Sequence, residues 1–219
     1  MKGILFDMDG TLLDSMKIWV SLSDRYLESL HVEIPENLHE EIKTMTLKEA
    51  LAHFKETFRL EDDVEDMLKA THSILAREYR DTVVKKPGVD ELLTRLKQRG
   101  HRMAVSTATN DDLAEPALRH HGLMQYFEFL QTAKNTGISK NDPAFWEEGA
   151  RRLQMAPEDI VVFEDALHAV RSAKKAGMRV IALADEVMKK DEEALKEEAD
   201  VFLPDFSAFE PAMLEDPDA

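Results

Sequence analysis

Close to its start the chain runs Gly3-Ile4-Leu5-Phe6 and then, with no transition, Asp7-Met8-Asp9-Gly10-Thr11. An apolar run short enough to be a buried strand therefore ends in two carboxylates one residue apart. A buried carboxylate is costly unless a cation or hydrogen-bond donors meet it. Residues i and i+2 of an extended chain point to one side, so Asp7 and Asp9 are aimed together. Few folds tolerate such an ending. An open parallel sheet does, because its functional crevice lies beyond the carboxyl ends of the strands.

The chain from Pro87 onward has the texture such a sheet requires. "PGVDELLTRLKQRGH" reads as a helix with Val89, Leu92, Leu93 and Leu96 on one face and Gly100 at its end. "RMAVST" is a short buried strand, followed by a helix through His120 that ends at Gly122. "FEFLQTA" reads as a strand, "DPAFWEEGARRLQ" as a helix, and "DIVVFED" as a strand. "ALHAVRSAKKAG" is again a helix, and "MRVIALA" and "ADVFL" are two further strands. The charge-rich "MKKDEEALKEEAD" between them is a solvated helix of alternating sign. Alternating strands and helices predict a doubly wound, Rossmann-like α/β core around a parallel sheet. The opening strand belongs to it.

Residues 15–84 contain no convincing strand. Trp19, Leu22, Tyr26 and Leu30 fall at helical spacing, and two later stretches read as helices. Thr46 with Glu49 has the form of a capping box. This segment is expected to be a small α-helical domain, 15–84, inserted into a core made of 1–14 and 85–219. "KKPG" at its far end supplies a stiff residue and then a permissive one, as a hinge needs.

Composition narrows the function. The 219 residues, 43% of them hydrophobic, suffice for one α/β domain and a smaller module. A net charge of −16 repels nucleic acid, so none is expected as a partner. An anionic substrate would need local positive charge to receive it. The chain has no cysteine, which excludes disulfides, thiolate metal sites and thiol nucleophiles. No apolar stretch is long enough to cross a bilayer, and the start lacks the form of a signal peptide. The expectation is a cytoplasmic protein without a membrane partner, a monomer or weak dimer.

The strand ends carry the chemistry. After "ILF" come Asp7 and Asp9; after "RMAVS" comes Thr107; after "IVVF" come Glu164 and Asp165. Lys140 stands in the loop "NTGISKNDP" before a helix. Carboxylates converging on one crevice repel each other, and a divalent cation relieves that repulsion. Oxygen-only ligands suit Mg²⁺, which keeps water and takes a phosphate oxygen readily. Lys140, backbone N–H groups and the Thr107 hydroxyl can then receive a phosphoryl group. No G-x-S-x-G is present, whereas a carboxylate nucleophile is chemically admissible.

At this point the chain resembles the haloacid dehalogenase superfamily. "DMDGT", the strand "RMAVST", Lys140 followed by Pro143, and "VVFEDALHAVRSAKKAGMRVIAL" resemble its four signatures, in its order. Within the superfamily the likeness is to the phosphoglycolate phosphatase and β-phosphoglucomutase group. The resemblance implies that Asp7 is the nucleophile and Asp9 the general acid/base. It implies Mg²⁺ held by Asp7, the Asp9 carbonyl and Asp165, with Glu164 a ligand or its supporting neighbour. Thr107 and Lys140 would hold the phosphoryl group, with Ser106 the alternative to Thr107 if the strand register differs by one. The implied activity is hydrolysis of a small phosphorylated metabolite through an aspartyl-phosphate. The helical insertion would be the cap that selects it.

The alternatives are a phosphosugar mutase and an inactive binding protein on the same fold. Asn141 stands where the third signature often has proline. Trp19 stands where the mutase has a substrate histidine, and Leu47 lies where its cap arginine is expected. Both departures argue against the mutase, and Asp9 argues against dehalogenation. Lys17 is a conceivable Schiff-base residue for phosphonate hydrolysis, though nothing singles it out. Trp19 is either cap core or pocket lining. His120–His121, at a helix end, reads as favourable with the helix dipole rather than as a metal site.

Overall fold

Strand β1 (Gly3–Phe6) is buried along its whole length, which is why its four residues carry no polar side chain. The computed structural model describes residues 1–42, 45 and 47–215. They fall into two units, Met1–Met16 with Val83–Ala219, and Lys17–Thr82.

The second unit is helical: α1 (Met16–Val20), α2 (Leu22–Ser29), α3 (Leu38–Ile42), α4 (Leu47–Thr57) and α5 (Val64–Asp81). Asp63 caps α5 by accepting from the Asp66 N–H. Leu22, Tyr26 and Leu27 of α2 and Leu51 and Phe54 of α4 are buried, as their helical spacing requires. Several polar groups inside this unit pair with each other. The Arg25 guanidinium donates to Glu78 at 2.7 Å, and the Thr82 hydroxyl donates to the other Glu78 oxygen at 2.7 Å. The Trp19 indole N–H donates to the Tyr79 hydroxyl at 3.0 Å, so Trp19 is tied into the helical unit. Glu49 sits in the first turn of α4, while Thr46, its expected capping partner, lies outside the described residues.

The first unit continues with α6 (Val89–Gln98), β2 (Arg102–Thr107), α7 (Asp111–His120), β3 (Leu130–Thr132), α8 (Ala133–Thr136) and α9 (Pro143–Arg152). Then follow β4 (Ile160–Glu164), α10 (Leu167–Lys175), β5 (Arg179–Leu183), α11 (Glu192–Glu198) and β6 (Val201–Leu203). The six strands form one parallel sheet in the order β3-β2-β1-β4-β5-β6. The chain winds outward from β1 in both directions, the doubly wound architecture the sequence predicts. Side chains alternate between its faces. Leu5 shares a row with Ala104 and Val162 and packs in a core with Trp146, Ala169, Val170 and Ala173. Phe6, one residue on, turns to the other face and stacks on Phe163 with ring centroids 4.8 Å apart.

Strand β3 is shorter than "FEFLQTA" leads one to expect. Phe127, Glu128 and Phe129 stand outside it, and its last residue, Thr132, also caps α8, its hydroxyl accepting from the Asn135 N–H while the Thr132 N–H donates to Asn135 Oδ1. His168 lies exposed on α10, opposite the buried Ala169, Val170 and Ala173. Among the described residues no helix is long and apolar enough to cross a membrane.

The segments on either side of the insertion bind each other. Asp14 N–H donates to the Val84 carbonyl at 2.9 Å, and Lys86 N–H to the Leu12 carbonyl at 3.0 Å. Gly88 ends this ribbon with φ +83°, a left-handed conformation that glycine adopts freely. A Cβ there would stand 2.8 Å from the Ser207 backbone nitrogen. Gly88→Ala should therefore destabilise the protein by about 1–3 kcal/mol in a urea titration; an unchanged midpoint would contradict this packing.

Candidate active site

Three strand ends lie side by side. Phe6 is level with Val105 and Phe163, and the Asp7 N–H extends the pairing by donating to the Phe163 carbonyl at 2.9 Å. Asp7 therefore continues a row whose neighbours are Ser106 on β2 and Glu164 on β4. Residues in one row of a parallel sheet share a face. Asp7, Ser106, Glu164 and Asp165 are all buried, which the alternation of an ordinary surface sheet would not produce.

Lys140 is also buried, 6% exposed, and it reaches this row from the loop before α9. Its ammonium pairs with Asp7 Oδ1 and stands 2.6 Å from Glu164 Oε1. The other Glu164 oxygen accepts from the Ala166 N–H at 2.6 Å and from the Asp165 N–H. Asp165 Oδ1 accepts from the Thr11 hydroxyl at 3.1 Å. Asp165 Oδ2 is buried and has no hydrogen-bond partner among the described residues. Gly10, with φ +84°, makes room for it, because a Cβ there would lie 2.2 Å from that oxygen. This is the physical reason for glycine after Asp9. The N-cap of α10 is Ala166, with no side-chain cap bond, so Asp165 does not spend its carboxylate on capping the helix.

Asp9 is held differently. Its Oδ1 accepts from the Ser15 hydroxyl and its Oδ2 from the Thr109 hydroxyl, each at 2.6 Å. Neither residue was among those the sequence singles out for the site. For Thr109 the signal is its place in "STATN", a hydroxyl two residues after Thr107, the last residue of β2. The choice between Thr107 and Ser106 acquires a geometric basis. The Thr107 hydroxyl accepts from the Thr109 N–H at 3.1 Å and so shapes its own loop. Ser106 Oγ is buried with no hydrogen-bond partner among the described residues and lies in the Asp7 row. A buried orphan hydroxyl in a native fold calls for an explanation, and a bound ligand is one.

Burial dominates the electrostatics. It pushes the Asp7 carboxyl up to about 7, against the lowering pull of Lys140, with Glu164 and Asp9 adding to the rise. Burial also raises Asp165 well above the carboxylate range, reinforced by Glu164 and Asp7. Burial by itself would lower Lys140, yet Asp7 and Glu164 outweigh it and hold the ammonium charged. One lysine thus faces a surplus of carboxylate. Asp7, Glu164 and Asp165 each offer an oxygen within 4.8 Å of the others, an all-oxygen donor set that suits a hard divalent cation. His120 and His121 pack edge to face at a helix end and take no part.

The chain is similar to known proteins. A family model described as haloacid dehalogenase-like hydrolase matches residues 4–183. The chain is 31% identical over 181 residues to the phosphorylated carbohydrates phosphatase of Thermotoga maritima, covering 83% of this chain and 84% of that protein. It is 30% identical over 210 residues to the validoxylamine A 7'-phosphate phosphatase of Streptomyces hygroscopicus subsp. limoneus, covering 94% of each. The crystal structure of CbbY from Rhodobacter sphaeroides in complex with phosphate superposes with a TM-score of 0.77 at 26% identity, over 98% of this chain and 99% of that one.

The raised Asp7 pKa has a measurable consequence. Between the ordinary value of 3.8 and about 7, the folded protein holds a proton the unfolded chain has lost. Its contribution therefore destabilises increasingly as pH rises through that window and is complete above it. Asp7→Asn should accordingly unfold at higher temperature than the parent at pH 8 in a chelating buffer, by about 2–4 kcal/mol of stability. The difference should vanish toward pH 4; a gain independent of pH would refute this electrostatic account.

Proposed function

The chain belongs to the haloacid dehalogenase-like hydrolases, and from that membership we propose that it is a Mg²⁺-dependent phosphatase of small phosphorylated metabolites, working through an aspartyl-phosphate on Asp7. The observation that carries this reading is the buried Asp7 carboxylate, paired with Lys140 and beside an Asp165 oxygen with no protein partner.

The donor set fits a cation. Asp7, Asp165 and the Asp9 carbonyl are assigned to hold it, while Glu164, occupied by Lys140 and two backbone amides, anchors the arrangement. When bound, the cation supplies positive charge that favours ionised Asp7 and neutralises phosphoryl oxygens. The remaining steps belong to the chain. An Asp7 oxygen attacks phosphorus, and the bond from phosphorus to the ester oxygen breaks. Asp9 donates its proton to that oxygen as the alcohol leaves. Asp9 then takes a proton from water, the water oxygen attacks phosphorus, and the bond to Asp7 breaks. Inorganic phosphate leaves with Asp7 restored. Lys140 and the Ser106 hydroxyl are assigned to the phosphoryl oxygens, with Thr107 shaping the loop between them and Thr109. Ser15 and Thr109 hold the two Asp9 oxygens and so fix where its proton is delivered.

Relatives named for phosphorylated carbohydrates and for validoxylamine A 7'-phosphate support a carbohydrate-like phosphate ester as substrate. The helical unit Lys17–Thr82 enters the chain directly after the Asp7–Ser15 segment, and we assign it the choice of substrate. The −16 charge supports a small-molecule partner rather than nucleic acid.

Hydrolysis of an aryl phosphate should require Mg²⁺ and disappear in Asp7→Asn; retained activity in that variant would end the nucleophile assignment. Asp9→Asn should lower kcat by about 10²–10⁴ while thermal stabilisation by Mg²⁺ persists. Ser106→Ala should raise KM or lower kcat more than Thr107→Val, and the reverse order would return the phosphoryl contact to Thr107. Isomerisation of a sugar phosphate, dependent on a bisphosphate activator and faster than phosphate release, would replace hydrolysis with the mutase reaction.

A further inference from the structure

Lys140 is met at its two ends by two linked side chains, Trp146 of α9 and Ser172 of α10. Its ammonium lies 5.3 Å from the centre of the Trp146 ring, over the indole face. Its backbone carbonyl accepts from the Ser172 hydroxyl of α10 at 2.7 Å. The Trp146 indole N–H in turn donates to Ser172 Oγ at 2.6 Å. Trp146 and Ser172 are both buried.

The direction of this chain of bonds follows from the chemistry of its members. An indole N–H can only donate, so the Ser172 oxygen must accept from it. The hydroxyl then has one proton and two acceptors in reach, the Lys140 carbonyl at 2.7 Å and the Ala169 carbonyl at 3.1 Å. Serine inside a helix ordinarily returns its proton to its own preceding turn. Here the shorter bond leaves the helix and ties α10 to the loop that carries Lys140. We propose that Trp146 and Ser172 are positioning residues for Lys140: together they set the height of its loop and the aim of its ammonium toward Asp7. The proposal rests on the phosphatase reading for its catalytic consequence, but the placement of Lys140 is independent of it.

Misplacement of a charge by a fraction of an ångström beside a reacting group is enough to lower a rate substantially. Ser172→Ala removes the link and leaves the indole N–H and the Lys140 carbonyl without it. Trp146→Phe removes the indole N–H while retaining an aromatic face. Each is expected to lower kcat for an aryl phosphate roughly tenfold with a smaller change in KM. The double variant should lose little more than either single one, because both break one chain. In a Lys140→Gln background Ser172→Ala should leave the residual rate unchanged, although it lowers the melting temperature in both backgrounds. A merely structural Ser172 would instead lower the rate by the same factor in both backgrounds, or not at all, and would overturn the proposal.

A second measurement needs neither turnover nor the Lys140→Gln protein. The Lys140 ¹⁵N ammonium resonance, assigned through its contacts with the Trp146 ring protons, should be slow to exchange in the parent. It should broaden or disappear in Ser172→Ala. An unaltered resonance in that variant would sink the positioning role even if the parent hydrolyses no phosphate ester, an outcome that would separately remove the phosphatase reading.

Discussion

The buried pairing of Lys140 with Asp7 and Glu164 is the interaction on which the site depends. One ammonium faces several acids in a region from which water is excluded. Removing charges from water is unfavourable by several kcal/mol per ion, and only close pairing offsets it. The pairing here is incomplete, since Asp165 Oδ2 and Ser106 Oγ have no hydrogen-bond partner among the described residues. The surplus negative charge invites a cation, and the orphan hydroxyl invites an acceptor. Under the proposed function, a phosphate ester with its metal would supply both.

The fold makes this frustration affordable. Asp7, Ser106 and Glu164 occupy one row at the end of three adjacent strands. Beneath them Leu5, Ala104 and Val162 form a wholly apolar row backed by Trp146 and α10. The stability of that core carries the local penalty above it. Gly10 and Thr11 serve the same end, one by yielding space to Asp165 and the other by donating a hydroxyl to it. The signature stretch is thus a set of packing requirements as much as a set of reactive groups.

The core was legible because its signals are local. Apolar runs bounded by polar punctuation marked β1, β2, β4 and β5, and Val89, Leu92, Leu93 and Leu96 marked one face of α6. Where two local signals compete, the reading was less sharp. Thr132 has a strand residue's shape and a capping residue's oxygen, and it serves as both, so β3 ends where α8 begins. Acids before a helix have the form of a cap, yet Ala166 is the N-cap of α10 and Asp165 Oδ2 has no hydrogen-bond partner among the described residues. Lys140, a lone lysine in a loop, has nothing in its immediate sequence to mark it as buried.

By itself the sequence determined the doubly wound class, the insertion after the first strand, and the acids at the strand ends. These follow from periodicity, from composition, and from the price of ending an apolar strand in carboxylates. Only the tertiary structure decided which hydroxyl of β2 stands beside Asp7, because that depends on strand register, and a shift of one residue moves every side chain to the other face. Only it could show Ser15 and Thr109 on Asp9, or the Trp146–Ser172 link behind Lys140. Those partners are separated by up to 100 residues in the chain. Hydrogen bonds act over about 3 Å of space, and no local pattern in a sequence encodes a distance across a sheet.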